Sequence, residues 1–340
     1  MLSSTLASLG WDEFFAAEFA PLQHTHFPAR VARIDRGAAD LRTATAGLRA
    51  DIASRQSDVA VGDWVAVDES GITQILRRRT AIVRAAASGE SRPQTLVANV
   101  DTALIAVAAF PRPRLGHIER LVALVWDSGA TPSVVVTKSD LSAEPRRLLT
   151  DVTRAAPGCD VHLVSAHTGE GVDALDGYDC PGRTLCLIGK SGAGKSTLAN
   201  ALIGAEHMEI SEVRRDGKGR HTTTHRELVD LPGGGVLIDT PGLRSVGVWL
   251  EEDGRSQTFP EIEALTDQCR FRDCAHDVEP GCAVLAAVET GAVHQRRLES
   301  WRKLGREAEW VAARQDARLQ RARAREWRRV AVEMRNRVRP

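Results

Sequence analysis

Nowhere does the chain run through eighteen consecutive apolar residues, so no membrane-spanning helix is expected. The first nineteen residues carry Asp12, Glu13 and Glu18 and lack a basic start before an apolar run, which argues against a secretory signal. A cytoplasmic protein with reduced thiols is therefore expected, and its six cysteines read as free thiols or metal ligands rather than disulfides. Aromatic residues are scarce, 4% of 340, with a single tyrosine. A surface of stacked rings for single-stranded nucleic acid has little material to draw on. Net charge is lacking too, with 45 basic residues against 45 acidic ones. That balance hides segregation: from Arg296 to Pro340 fourteen Arg and one Lys face six acidic residues. The basic end suggests a polyanionic partner.

What is present falls into regions. Residues 1–26 carry Trp11, Phe14, Phe15 and Phe19, with Leu9 and the phenylalanines fit for one face of a short helix. Residues 27–85 read as five short strands at roughly ten-residue spacing, Ala29–Arg36, Leu41–Ala46, Leu48–Ala53, Asp63–Val67 and Ile72–Leu76, each bounded by a turn signal. An OB-type barrel is the natural expectation. Trp64 is its one stacking candidate and reads better as packing, so any nucleic-acid contact there would rest on Arg30, Arg33, Arg36, Arg42 and Arg49. Residues 86–97 read as a linker. Residues 98–250 switch to an α/β pattern, with buried-strand runs at Thr102–Ala109, Ser133–Thr137 and Asp160–Ser165 and a helical stripe at Ile118–Trp126. Residues 251–340 read as helical segments with a basic tail, in which Trp327, Val330, Met334 and Val338 form a narrow apolar stripe.

The most specific stretch is Gly189-Lys190-Ser191-Gly192-Ala193-Gly194-Lys195-Ser196, a complete G-x-x-x-x-G-K-[ST]. It follows the apolar run Thr184–Ile188 and leads into Thr197-Leu198-Ala199-Asn200-Ala201-Leu202, the strand–loop–helix context a phosphate cradle needs. Its backbone N–H groups and the helix N-terminus favour an anion. Lys195 reaches for the β- and γ-phosphates, and the Ser196 hydroxyl for Mg²⁺.

Other short motifs stand at predicted strand ends. Thr137-Lys138-Ser139-Asp140 fits [NT]-K-x-D, in which the aspartate accepts from the N1–H and N2 amine of guanine and the lysine stem covers the base. Thr137 stands where asparagine is usual, which removes an amide. Ser165-Ala166 fits the loop that meets guanine O6 through a backbone N–H. Thr222, Thr223 and Thr224 offer a hydroxyl to Mg²⁺ in the triphosphate state. In Asp239-Thr240-Pro241-Gly242, Asp239 can hold the Mg²⁺ shell and the Gly242 N–H can sense the γ-phosphate. Together these point to GTP and GDP as ligands. Their order is permuted: base-reading motifs first, phosphate loop in the middle, D-x-x-G last.

Many GTPases carry a glutamine after D-x-x-G to orient the attacking water. Leu243 cannot do so, which predicts slow intrinsic turnover. His221, beside the switch threonines, is the candidate to orient or deprotonate water, with His225 weaker. Cys269, Cys274, His276 and Cys282 form C-x4-C-x-H-x5-C, three thiolates and one imidazole suited to a structural tetrahedral Zn²⁺. Cys186 reads as a small buried hydrophobe, and Cys159 and Cys180 as incidental.

These motifs, with Ala98-Asn99-Val100-Asp101 and Gly219-Arg220-His221-Thr222-Thr223-Thr224, resemble the bacterial family of circularly permuted, ribosome small-subunit-dependent GTPases over about residues 27–300. The resemblance implies an OB barrel, a circularly permuted P-loop GTPase domain with a doubly wound sheet, and a helical zinc domain. It also implies GTP hydrolysis stimulated by the 30S subunit, a role in late 30S maturation, contact with 16S rRNA, and the catalytic role of His221. A monomer is expected. The competing readings are a nucleotide-gated RNA-binding protein with negligible turnover, supported by Leu243, and a metabolic P-loop kinase, which would not need Thr137–Asp140 or Ser165-Ala166.

Overall fold

The computed structural model describes residues 6–35, 37–52, 59–84, 94–204, 226–239 and 252–309, in two compact units that divide between Val248 and Trp249. In the first unit, Asp12 caps helix α1 (Glu13–Phe19) by accepting hydrogen bonds from the Phe14 and Phe15 N–H groups at 3.1 and 3.3 Å. The helix buries Phe15 and Phe19, and Trp11 meets Trp64 edge-on at 4.8 Å. Trp64 is fully buried, so it is core and offers no stacking platform.

Five strands follow: β1 (Phe27–Asp35), β2 (Ala38–Arg42), β3 (Gly47–Asp51), β4 (Trp64–Asp68) and β5 (Gly71–Ile75). They pair in the order β3-β2-β1-β4-β5, with β3 lying beside β5, which is the strand order of an OB barrel. Its core holds Val31, Leu41, Ile52, Val65 and Val67. The second strand begins three residues before the expected Leu41 and stops at Arg42. Residues 43–46 instead form a turn, organised by the Thr43 hydroxyl, which accepts from the Thr45 and Ala46 N–H groups and donates to the Ala46 carbonyl.

Residues 94–97 of the expected linker are strand instead. Strand β7 (Gln94–Ala98) pairs antiparallel with β6 (Ala81–Arg84), and Val97 bridges Val61. The Arg77-Arg78-Arg79 run is likewise not free: the three pair with Glu18, Asp63 and Asp12.

The α/β part contains β8 (Thr102–Ala108), α2 (Leu115–Asp127), β9 (Thr131–Thr137), α3 (Pro145–Ala155), β10 (Asp160–Val164), β11 (Thr184–Ile188), α4 (Lys195–Ile203), β12 (Glu227–Asp230) and β13 (Val236–Asp239). Strands β10, β9, β8, β11 and β13 are parallel neighbours in that order. Apart from their first residues, β8, β9 and β11 are almost wholly buried, as a sheet covered on both faces requires. Strand β12 closes the row antiparallel to β13, and β1 of the barrel pairs with β12 at Arg33 and Glu227. Barrel and α/β part therefore share one sheet.

A buried junction reinforces that seam. Arg30 donates to the carbonyls of Gly62, Leu9 and Asn99, and Asn99 donates through Nδ2 to the Gly62 carbonyl at 3.1 Å. A Cβ on Gly62 would stand 2.1 Å from the Ala98 carbonyl oxygen, so only glycine lets the two backbones approach. Burial pushes the Arg30 guanidinium down to about 10.

In the second unit, α5 (Glu252–Thr258), α6 (Pro260–Thr266) and α7 (Ala283–Glu289) are followed by α8 over residues 295–309. Phe259, Ile262, Val284, Leu298 and Leu304 form a small core. Arg297 pairs with Glu261 at 2.6 Å and donates to the Thr258 carbonyl at 2.9 Å. The stripe Trp327, Val330, Met334 and Val338 lies outside the described residues. Among the described residues no helix is long and apolar enough to cross a membrane.

Candidate nucleotide site and metal centre

The parallel strands bring the sequence motifs to one edge. Thr137 ends β9 and Lys138–Asp140 follow it, Ser165-Ala166 follows β10, Gly189–Ser196 follows β11, and Asp239 ends β13. This is the carboxyl edge of an open α/β sheet, where such folds bind ligands. His221, Thr222, Thr223, Thr224, Gly242 and Leu243 lie outside the described residues.

The phosphate loop is a cradle shaped by glycine. Gly189 has φ 141°, and a Cβ there would stand 2.3 Å from the Ala106 carbonyl oxygen of β8. Gly194 is the N-cap of α4, and Lys195, Ser196 and Thr197 form its first turn. The Lys195 ammonium donates to the carbonyls of Gly189 and Lys190, both at 2.8 Å, so it lies across the loop. Lys190 and Ser191 are exposed, and Ala193 is buried.

Two bonds tie the base-reading turn to this cradle. The Thr137 hydroxyl donates to the Ala193 carbonyl at 2.6 Å, and the Lys138 ammonium donates to the Gly192 carbonyl at 2.9 Å. Thr137 therefore makes a bond to the phosphate loop despite lacking an amide. Lys138 adopts φ 55°, which turns the chain sharply into Ser139, buried, and Asp140, exposed at the edge. Ser165 is fully buried; its hydroxyl accepts from the Thr168 N–H at 3.2 Å and its N–H donates to the Glu170 carbonyl at 2.9 Å. These bonds hold Ala166 at the edge. Beside the loop, in the first turn of α2, burial and the positive charges of Lys190 and Arg120 push the His117 imidazole down to about 4. Nothing in the motif reading singled out His117, because its neighbour Lys190 is remote in sequence.

The candidate metal centre lies in the second unit. The ligand atoms of Cys269, Cys274, His276 and Cys282 all fall within 4.8 Å of one another. Cys269 Sγ is 3.8 Å from Cys282 Sγ, and each of these is 3.5 Å from His276 Nδ1. Zn–S bonds of about 2.3 Å at tetrahedral angles give S···S edges of about 3.8 Å, so the donors fit a tetrahedral ion. The Glu279 carboxylate accepts from the Ala275, Asp277 and Val278 N–H groups at 2.8–3.0 Å, which holds the intervening loop and drops the carboxyl to about 2. From α8, Trp301 packs edge-on against His276 at 5.5 Å and donates to Glu263 at 2.8 Å, while Arg302 donates to the His276 carbonyl. Of the other thiols, Cys186 is buried and pushed up by desolvation, Cys159 is pushed up to about 12, and Cys180 is exposed.

The five arginines that would serve the barrel as a basic surface are otherwise engaged, or lie out of view. Arg30 is buried, Arg33 stands between Asp35 and Glu227, Arg42 grips Asp230, and Arg49 grips Asp40; Arg36 lies outside the described residues.

A phosphate loop preceded by its base-reading turn, on a doubly wound sheet, defines a circularly permuted P-loop GTPase. The family model described as RsgA GTPase matches residues 75–249. The small ribosomal subunit biogenesis GTPase RsgA of Streptomyces avermitilis is 50% identical over 345 residues, covering 97% of this chain and 93% of that protein. The protein of the same name from Streptomyces coelicolor is 51% identical over 329 residues, covering 93% and 90%. Among solved structures, YjeQ from Thermotoga maritima aligns with a TM-score of 0.60 at 26% identity, over 83% of this chain and 98% of its own. The circularly permuted GTPase YloQ shares the fold, with a TM-score of 0.57 at 22% identity over 85% and 96%. The chain belongs to the RsgA GTPase family.

Proposed function

We propose that this GTPase binds the small (30S) ribosomal subunit and couples GTP hydrolysis to late maturation of that subunit, with turnover stimulated by the subunit. The observation that carries this reading is the 50% identity, over nearly the whole chain, to a small ribosomal subunit biogenesis GTPase. The protein acts in the cytoplasm as a monomer, and 16S rRNA is its polyanionic partner, met in part by the basic tail.

Asp140 reads the guanine N1–H and N2 amine, with Lys138 over the base and the Ala166 N–H toward O6. Gly189 through Thr197 wrap the phosphates, and Lys195 leaves its own loop carbonyls to meet them. Ser196, in the first turn of α4, and Asp239, the last residue of β13, would hold Mg²⁺, which when bound neutralises charge on the β- and γ-phosphates. Thr222, Thr223 and Thr224 with Gly242 respond to the γ-phosphate. His221 orients the attacking water where Leu243 cannot. Zn²⁺ in the Cys269, Cys274, His276 and Cys282 cluster is structural, since all four of its positions are filled by protein.

The test is GTP turnover with and without purified 30S subunits. Stimulation of about a hundredfold or more, the order expected for one positioned acid–base group, is the expected result. Turnover that stays flat on adding subunits counts against the reading. His221→Ala should keep GTP binding and lose stimulated turnover; retained stimulation removes its catalytic role.

A further inference from the structure

Reading across the sheet, one row of directly opposed residues runs from the barrel to the nucleotide edge. Arg49 on β3 faces Asp40 on β2, Asp40 faces Arg33 on β1, Arg33 faces Glu227 on β12, and Glu227 faces Asp239 on β13. Opposed residues share a sheet face, with Cβ atoms about 5 Å apart. The row alternates in sign until its last step, where Glu227 and Asp239 bring two carboxylates together. Like charges directly opposed are unfavourable, and Arg33 is the cation on the other side of Glu227, 3.9 Å from its carboxylate. The barrel holds the far end of the same four-residue strand as well. Arg42 donates through both terminal nitrogens to the two Asp230 oxygens, at 2.6 Å each. Strand β12 is thus held at both ends by barrel arginines, and its first residue stands opposite Asp239.

We propose that Arg33 of the barrel is a positioning residue for the nucleotide site, compensating Glu227 so that the field at Asp239 accepts a triphosphate. The inference rests on the reading of Asp239 as the Mg²⁺-side residue of a GTP site. A triphosphate carries one more negative charge than a diphosphate at that edge. An uncompensated Glu227 therefore disfavours GTP more than GDP. By reciprocity, whatever draws Arg33 away from Glu227, an RNA phosphate above all, shifts the site toward the diphosphate.

The experiment measures affinities of the full-length protein for GDP and for a non-hydrolysable GTP analogue, with Mg²⁺ present, at low salt. Arg33→Ala should weaken the analogue by about threefold to tenfold, from a unit charge at roughly 10 Å in an intermediate dielectric, and move GDP by less than about twofold. Adding Glu227→Gln to Arg33→Ala should restore the ratio. Glu227→Gln alone should raise the ratio above wild type, and it keeps the question open to disproof if Arg33→Ala fails to fold. Equal weakening of both nucleotides would reduce Arg33 to a structural contact and overturn the proposal. So would an unchanged ratio, or a double variant that is not restored. A wild-type protein that bound neither nucleotide would instead sink the GTP-site reading itself.

Discussion

The nucleotide edge and the metal centre are built by opposite means. At the nucleotide edge, strands buried on both faces fix the loop origins, and loop carbonyls are satisfied by Lys195, Thr137 and Lys138. The described part of the site takes its shape from the sheet and these loop bonds. At the metal centre, seven-residue helices surround a loop whose geometry comes from four converging donors, one carboxylate and contacts from α8. Helices that short are marginal on their own. At the first site the sheet sets the geometry; at the second the converging donors do.

Metal removal is the strongest test of that contrast. Chelation, or Cys282→Ala, should unfold the second unit, because structural zinc contributes on the order of 10 kcal/mol of folding free energy. Loss of helical circular dichroism and rapid proteolysis after residue 250 would report it. GDP affinity should stay within about twofold, since the nucleotide edge is fixed by its own sheet. Joint loss of both would erase the distinction.

Lys195→Ala comes next in size. It should cost on the order of a hundredfold in GTP affinity, as loss of a charge-assisted phosphate contact does, with little change in thermal midpoint. A large drop in that midpoint would mean that the lysine holds the loop together rather than waiting for phosphate.

A smaller effect is expected at Thr137. Thr137→Ala removes the 2.6 Å bond to Ala193 and should weaken both guanine nucleotides about fivefold to tenfold, the worth of one buried hydrogen bond. Thr137→Asn should bind at least as well as wild type. Equal affinity for Thr137→Ala would show that Lys138 alone joins the two loops.

The least effect concerns His117. Its folded pKa near 4 lies below the ordinary 6.5, so the unfolded chain takes up the proton first as pH falls. The stability tied to the neutral ring is complete above about pH 6.5 and is lost as pH drops toward 4. His117→Gln should flatten that stretch of a urea-midpoint-against-pH curve. An identical curve would free the phosphate-loop neighbourhood of any titrating strain.

Much of the candidate site is legible in the sequence alone. The phosphate loop, the base-reading turn and the Cys/His cluster are short local patterns, and the hydrophobic runs that launch the first two are strands within a residue or two of expectation. The barrel was legible in outline but not in register. The Thr43 turn displaced β2, because side-chain hydrogen bonds within a turn override a loose alternation of apolar residues. Residues 94–97 read as linker because the strand they join, β6, is four residues long and leaves little periodic signal.

By itself the sequence determined the ligand class, the permuted order and the Cys/His donor cluster. Those depend on spacings of a few residues, and short-range geometry enforces them. Only the tertiary structure decided what the barrel arginines do. Composition offered Arg33, Arg42 and Arg49 as a surface for RNA, whereas the fold gives each a carboxylate. Arg42 finds Asp230, 188 residues away, and Arg33 finds Glu227. Pairing across a sheet joins strands by register rather than by sequence distance, so no local pattern could have shown that the barrel and the GTPase edge are one sheet.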